Sequence, residues 1–178
     1  MGAWYYFDAN ALAKRYSQET GTELINELFH RAPVARMACL SLSILEIMSI
    51  LVRKKNDGRL SMHAFGKAAA NFRAEVIDAK EFSKATINDA VVLSAMGFVS
   101  KHSINATDAV ILRSVLNMKE KLETTGDEQL ILITSDKRLA KAAKREGVTV
   151  FDPEVDTLAS LQESLDAASK IKNRFIPT

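Results

Sequence analysis

Four acidic residues of this chain are candidates for holding a metal ion. They are Asp8, Glu46, Asp108 and Asp136. Each stands in or beside an apolar stretch, where an unpaired carboxylate is unfavourable unless a cation or hydrogen bonds compensate it. Carboxylates crowded together repel one another and raise one another's pKa, so a divalent cation would stabilise such a group. A set of oxygen ligands without His or Cys favours Mg²⁺ or Mn²⁺ over zinc.

The order of predicted elements explains how two of these acids could meet. Residues 4–7 and 130–133 are uninterrupted apolar runs, which are typical of buried strands. Asp8 follows the first run directly, and Asp136 stands three residues after the second. The carboxyl ends of parallel strands lie at one edge of a sheet, where ligands bind in open α/β folds. We therefore predict that Asp8 and Asp136 lie at the same edge.

Each acid taken alone also has an ordinary structural explanation. Glu46 stands three residues after Ser43, which is the spacing of a capping box. Asp8 and Asp136 precede predicted helices and could serve as N-caps, and Asp108 in a first turn would interact favourably with the helix dipole. Capping stays open for every one of these residues. Their shared placement favours metal binding, and we then expect the carboxylates to converge.

Strands alternate with helices along most of the chain, which predicts an α/β sandwich around a mainly parallel sheet. Further strands are predicted at residues 34–40 and 148–151, and a polar loop at 120–128. Helices are predicted at 9–16, 22–31, 43–55, 61–76, 88–102, 105–122, 137–146 and, more weakly, 158–168. We expect one domain over residues 1–153 and a partly helical C-terminal extension over 154–178.

The amino-acid composition indicates the class of protein but does not identify a binding partner. The 178 residues are 47% hydrophobic and 26% charged, which is typical of a globular domain. The net charge of +2 neither requires nor excludes nucleic acid. Cys39 is the only cysteine, so no internal disulfide can form. No signal peptide and no apolar stretch of membrane-spanning length is visible, and we expect a cytoplasmic protein.

Four short motifs resemble those of the PIN-domain nucleases, and of their VapC-type toxins in particular. The motifs are FDANALAKRY at residues 7–16, SLSILE at 41–46, TDA at 107–109 and TSDKRLA at 134–140. Any one of them alone would be a weak signal. Their order and spacing make the resemblance specific, and it extends over about residues 4–153.

The resemblance implies a PIN-like three-layer α/β/α sandwich and a metal-dependent endoribonuclease that uses Mg²⁺ or Mn²⁺. The family's acidic quartet falls on Asp8, Glu46, Asp108 and Asp136, and its supporting hydrogen-bonding positions fall on Asn10, Ser41 and Thr134. The expected reaction is hydrolysis of RNA to a 5′-phosphate and a 3′-hydroxyl. Toxins of this type pair with an antitoxin whose basic side chain enters the acidic pocket, and they commonly form homodimers. The helices that begin near Thr22 and Ser61 could supply such surfaces.

Two further expectations concern the first motif. Lys14 and Arg15 stand near its end on a predicted short helix and are predicted to contact RNA phosphates, although residues on an exposed helix face would give the same pattern. Asp8-Ala9-Asn10 faintly resembles the opening of the haloacid-dehalogenase phosphatases, which need a second Asp where Asn10 stands. A PIN-like RNA-processing or binding module without a toxin role is the other alternative.

Overall fold

A single five-stranded sheet forms the centre of the protein. The computed structural model describes residues 3–126 and 129–163. The strands are β1 Trp4–Phe7, β2 Met37–Leu40, β3 Ser83–Ala85, β4 Leu130–Ile133 and β5 Thr149–Phe151. They are arranged in the order β3-β2-β1-β4-β5, and every neighbouring pair is parallel. The expected parallel sheet is therefore confirmed.

Helices follow the strands in the alternation that the sequence predicts. They are α1 Ala9–Ala13, α2 Thr22–Arg31, α3 Ser43–Asn56, α4 Met62–Phe72, α5 Asp89–His102, α6 Ala106–Thr125 and α7 Lys137–Arg145. Residues 158–163 are also helical, and the rest of the helix predicted at 158–168 lies outside the described residues. Across the described ranges, we find no helix with the length and hydropathy needed to cross a bilayer.

Alternating side chains of the strands divide the core into two halves. Tyr5 and Phe7 of β1 pack on the face covered by α1 to α4, where Leu12 and Ile47 are also fully buried. Tyr6 points to the opposite face, which is covered by α5, α6 and α7. The period of two in a strand explains this division, since successive side chains project to opposite faces. The result is the expected three-layer α/β/α sandwich.

The strand predicted at residues 34–40 is shorter in the structure. Residues Val34–Arg36 form a 3₁₀ turn after Pro33, and extended pairing begins at Met37. Strand β3 was not predicted, because Ser83-Lys84-Ala85 contains no apolar run and lies half-buried at the edge of the sheet. An edge strand of three residues depends on pairing with its neighbour more than on its own composition.

Two helical predictions also need correction. The helix expected over residues 61–76 is regular as far as Phe72 and then widens into a π-helical turn at Arg73–Ile77. The loop expected at 120–128 is wrong for its first half, because α6 continues to Thr125. Leu122 is 8% exposed and packs into the core, and Lys119 pairs with Glu123 one turn later. These contacts extend the helix through a polar sequence.

The first residues after Pro153 pack against the domain. Leu161 is 1% exposed and belongs to the core beneath α1 to α4. Gly21 allows the chain to pass close to Pro153: its φ is +88°, and a Cβ there would stand 2.5 Å from the Pro153 carbonyl oxygen. Residues 154–163 of the extension therefore lie on the domain surface and partly in its core.

Candidate active site

The sheet has a topological switch point between β1 and β4. The chain runs outward through β1, β2 and β3 on one side, and then through β4 and β5 on the other. Asp8 follows β1, and its backbone N–H donates to the carbonyl of Ile133 at the end of β4 over 3.0 Å. Asp136 stands three residues beyond Ile133. The two acids therefore lie at the same edge, as predicted, where open α/β sheets bind ligands.

A cleft of about 570 Å³ opens at this edge and brings together the four predicted acids. Each acid reaches it from a different element: Asp8 from the end of β1, Glu46 from α3, Asp108 from α6 and Asp136 from the start of α7. Residues more than a hundred positions apart in the chain thus line one cavity.

Asp8 is a buried carboxylate held by a hydroxyl. It is 4% exposed, and Thr134 Oγ1 donates to its Oδ2 over 3.1 Å. Although Asp8 occupies the N-cap position of α1, its side chain makes no capping hydrogen bond. The pKa of Asp8 is raised to about 6, mainly by burial; hydrogen bonds from Thr134 and the Ala9 backbone oppose the rise, and the negative charges of Glu46 and Asp136 add to it. Capping therefore does not account for this residue.

Asp136 combines a cap with a place in the cleft. Its Oδ1 accepts the backbone N–H groups of Arg138 at 2.8 Å and Leu139 at 2.9 Å, which caps α7. Thr134 Oγ1 in turn accepts the N–H of Asp136 over 3.1 Å. Both proposed roles are compatible here, because the capping hydrogen bonds use only one carboxylate oxygen and Asp136 also lines the cleft.

Glu46 does not form the capping box that its spacing suggests. Helix α3 begins at Ser43, and the residue before it, Leu42, provides no side-chain cap. The Ser43 hydroxyl is buried without a hydrogen-bond partner, and so is Oε2 of Glu46, among the described residues. Burial raises the pKa of Glu46, and the charge of Asp108 adds to this rise. The Ser43 position is one residue too far into the helix to serve as its N-cap.

Asp108 is oriented by Asn105, a residue whose role in the site the sequence analysis missed. Asn105 Oδ1 accepts the backbone N–H of Asp108, and its Nδ2 donates to Asp108 Oδ2, both over 2.8 Å. Burial raises the pKa of Asp108 to about 6, with further increases from Asp136 and Asp8 and an opposing effect of Arg138. The Asn-x-x-Asp spacing at the helix start was the signal for this pair.

The side chains of the cleft are chemically suited to a hard divalent cation, but they are not close enough together to hold one. Four carboxylates line it, and one oxygen of Glu46 is buried without a partner. Convergence is incomplete, however: within residues 3–126 and 129–163 no three Asp, Glu, His or Cys side chains are arranged to hold a metal ion. Unneutralised carboxylates repel one another, which keeps such a set apart.

The other predicted residues differ in position. Asn10 is exposed and lines the cleft, and Thr134 bonds Asp8, whereas Ser41 is half-buried and does not line it. Lys14 is 4% exposed and pairs with Glu154 over 2.5 Å. Neither Lys14 nor Arg15 lines the acidic cleft.

Arg15 is engaged on the far side of α1. Its guanidinium donates to both oxygens of Glu75 at 3.0 and 3.1 Å and to Asn26 at 2.8 Å, and it stacks over Phe29. Such contacts hold the side chain in place away from the acids. The basic side chain that lines the acidic cleft is instead Arg53 of α3, among the residues that the structure describes.

A comparison with known protein families identifies the family to which this chain belongs. The sequence matches the PIN domain over residues 5–145, which is most of the chain. The chain belongs to the PIN domain family. All four acids of the cleft lie within the matched part of this PIN domain. A comparison with curated proteins finds no match.

Solved structures share the fold of this PIN domain. PAE2754 from Pyrobaculum aerophilum superposes with a TM-score of 0.60 at 18% identity, covering 94% of this chain and 99% of that one. FitAcB from Neisseria gonorrhoeae gives 0.58 at 14% identity, covering 85% and 99%. FitAB bound to the IR36 DNA fragment gives 0.56 at 14% identity, covering 86% and 97%. At such identities the likeness establishes the fold alone.

Proposed function

We propose that this PIN domain is a metal-dependent endoribonuclease that hydrolyses RNA phosphodiester bonds. The observation that supports the proposal is the acidic cleft at the switch point of the sheet, which four carboxylates from four elements line within the matched domain. Burial, to which the neighbouring negative charges add, raises the pKa of Asp8 and of Asp108 to about 6, so that their ionised forms are unfavourable at neutral pH without a cation. A site that keeps such charges together is suited to binding cations.

Mg²⁺ or Mn²⁺ would be held by Asp8, Glu46, Asp108 and Asp136. When bound, the cation supplies a lowered pKa for a coordinated water and offsets charge on the scissile phosphate. The protein's own contribution is orientation: Thr134 holds Asp8, Asn105 holds Asp108, and the cap of α7 fixes one oxygen of Asp136. We expect a 5′-phosphate and a 3′-hydroxyl as products.

We further propose that the nuclease is the toxin of a toxin–antitoxin pair acting on cytoplasmic RNA. The resemblance of its four motifs to VapC-type toxins supports this role. An antitoxin would insert a basic side chain into the acidic cleft, where burial and like charges leave the carboxylates short of positive partners. Occupation by that side chain would compete with a divalent cation for the same oxygens.

A homodimer is part of the proposal, and the structure suggests a different surface for it than the sequence did. Helices α2 and α4 were the expected contacts. Helix α5 instead displays four large exposed apolar side chains, Val92, Leu93, Met96 and Val99, whereas α4 displays Met62. We therefore assign the dimer contact to α5.

The decisive experiment compares the wild type with Asp8→Asn on single-stranded RNA in Mg²⁺, Mn²⁺ or EDTA. The wild type should cleave with either cation and not with EDTA, and Asp8→Asn should fall to background, because it loses one of the four carboxylates. Asp78→Asn is the matched control, since Asp78 is exposed on the surface and pairs with Arg73. Cleavage that survives both EDTA and the Asp8 substitution would disprove the mechanism.

A further inference from the structure

A second cleft adjoins the acidic one. It has a volume of about 360 Å³ and shares with the acidic cleft the residues Asn10, Ile50, Arg53 and Asp136. Its remaining lining includes the basic residues Lys14, Lys54 and Arg59. The lining also contains the acids Glu19 and Glu154, so the charge that this cleft offers to a nucleic-acid strand depends on which basic side chains are already paired.

Most of the positive charges near this second cleft already have partners. Lys54 Nζ contacts Glu19 at 2.7 Å and the Ser17 hydroxyl at 2.6 Å. Arg59 pairs with Asp57 through its guanidinium at distances of 2.5 to 3.0 Å. Lys14, as noted, pairs with Glu154. These contacts fix the walls of the cleft and leave little positive charge for a ligand.

Arg53 differs from these neighbours. Its side chain is exposed and has no hydrogen-bond or ion-pair partner in the described part of the chain. It is also the only basic side chain among the described residues that line the acidic cleft. An unpaired arginine between two clefts is free to bind an incoming anion, and its planar guanidinium suits the oxygens of a phosphate.

The position of Arg53 on α3 relates it to the acids. Arg53 stands seven residues after Glu46, so it lies on the same face of the helix, two turns and about 10 Å further along its axis. Ile50 lies between the two and lines both clefts. This offset places Arg53 at the border of the two clefts, where it can hold a part of the strand next to the one that lies at the acids.

We propose that Arg53 binds a backbone phosphate of the substrate next to the one that is cleaved, and so directs the strand from the acidic cleft into the second cleft. The inference rests on the proposed function for the identity of the substrate as RNA. Arg53 acts in binding and positioning, and it does not take part in bond cleavage. Because the acids repel a polyanion, one free arginine at their border has a strong influence on affinity.

The test measures cleavage of single-stranded RNA in Mg²⁺ by the wild type, Arg53→Ala, Arg53→Lys and Lys67→Ala. Lys67 is exposed on α4 and lines neither cleft, so its substitution removes the same charge elsewhere. Arg53→Ala should raise KM about tenfold with little change in kcat, as expected for a lost charged hydrogen bond made equally in the ground and transition states. Arg53→Lys should recover part of the loss, and Lys67→Ala should match the wild type.

Binding is measured separately from cleavage by fluorescence anisotropy with a labelled RNA. Arg53→Ala in an Asp8→Asn background should bind about tenfold more weakly than Asp8→Asn alone, with a dependence on salt lower by about one phosphate contact. An unchanged affinity, an equal loss in Lys67→Ala, or a fall in kcat without a change in KM would overturn the role of Arg53. A wild type that binds through Arg53 but cleaves no RNA would refute the proposed function and leave the phosphate contact standing.

Discussion

At the scale of single residues, the site consists of carboxylates that the fold places in surroundings where their ionised form is unfavourable. Asp8 is almost fully buried, and the hydroxyl of Thr134 and the backbone N–H of Ala9 stabilise its carboxylate. These neutral hydrogen bonds offset only part of the cost of burying a charge. The part of this cost that is not offset raises the pKa of Asp8 to about 6. Below that pH, the folded protein without metal therefore favours the protonated carboxyl group.

Asp8→Asn should therefore increase stability while it removes activity. Because the pKa of Asp8 is higher in the folded protein, protonated Asp8 does not destabilise the fold below about pH 4. As pH rises through about 6, the carboxyl group ionises in its buried position and the free energy of unfolding falls. In EDTA at neutral pH the variant should be more stable by about 2–3 kcal/mol, with a gap that closes toward pH 4. Thermal or urea unfolding of both proteins between these pH values measures the difference.

The matched measurement uses Mg²⁺ instead of EDTA. The cation should raise the unfolding midpoint of the wild type at neutral pH more than that of Asp8→Asn, since it binds the ionised carboxylate. Asp78→Asn, an exposed substitution, should follow the wild type throughout. A wild type that grows more stable in EDTA between pH 4 and pH 7 would contradict the assignment of the raised pKa.

At the scale of elements, the N-termini of helices position two of the acids, and one of these acids also caps its helix. Asp136 begins α7 by accepting two backbone N–H groups, and Asn105 begins α6 while it bonds the side chain of Asp108. Helix N-termini carry partial positive charge, which partly compensates a nearby carboxylate. Building the cleft from helix starts therefore lowers the cost of assembling four negative groups.

The two roles of Asp136 can be separated by substitution. Asp136→Ser retains an oxygen that can cap α7, whereas Asp136→Ala loses both the cap and the carboxylate. We expect Asp136→Ala to lose about 1 kcal/mol of stability and Asp136→Ser much less, measured by urea unfolding in EDTA. Both should lose metal-dependent cleavage to a similar extent. Full cleavage by Asp136→Ser would mean that Asp136 is a cap and nothing more.

At the scale of the whole molecule, the apolar face of α5 stands out. The eleven residues 90–100 contain no charged side chain, while Asp89 and Lys101 lie at opposite ends of the helix. Two copies packed antiparallel about a two-fold axis would join their apolar faces and bring each Asp89 toward the other Lys101. Gly97 lies in this helix with open space around its Cα, which permits close approach.

Leu93→Glu together with Met96→Glu should convert the proposed dimer to a monomer. Each side chain is 65% exposed, so the charges are tolerated in a monomer but would be buried unpaired in the interface. Sedimentation equilibrium of the wild type and the variant at the same concentrations measures the change. Met62→Glu on α4, at a side chain 72% exposed, is the control and should leave the dimer intact. A monomeric wild type, or dissociation by Met62→Glu, would contradict the assignment to α5.

The sequence alone predicted four of the five strands and named the four acids that line the cleft. Apolar runs at β1 and β4 predict buried strands because a parallel sheet covered on both faces excludes polar side chains. Asp8 and Asp136 could be placed at one edge because strand ends in a parallel sheet point the same way. Strand β3 could not be found, since a half-buried edge strand of Ser, Lys and Ala has no periodicity to detect.

Tertiary structure decided which side chains are already engaged. Lys14 and Arg15 resemble phosphate-binding residues in the sequence, yet Glu154 and Glu75, distant along the chain, pair with them. Glu46 resembles a capping residue, but α3 begins at Ser43, and Oε2 of Glu46 is buried at the cleft without a hydrogen-bond partner among the described residues. The local spacing of residues determines which capping hydrogen bonds are available at the N-terminus of a helix. Only long-range packing determines whether a carboxylate in the cleft finds a partner, because its partners come from other elements.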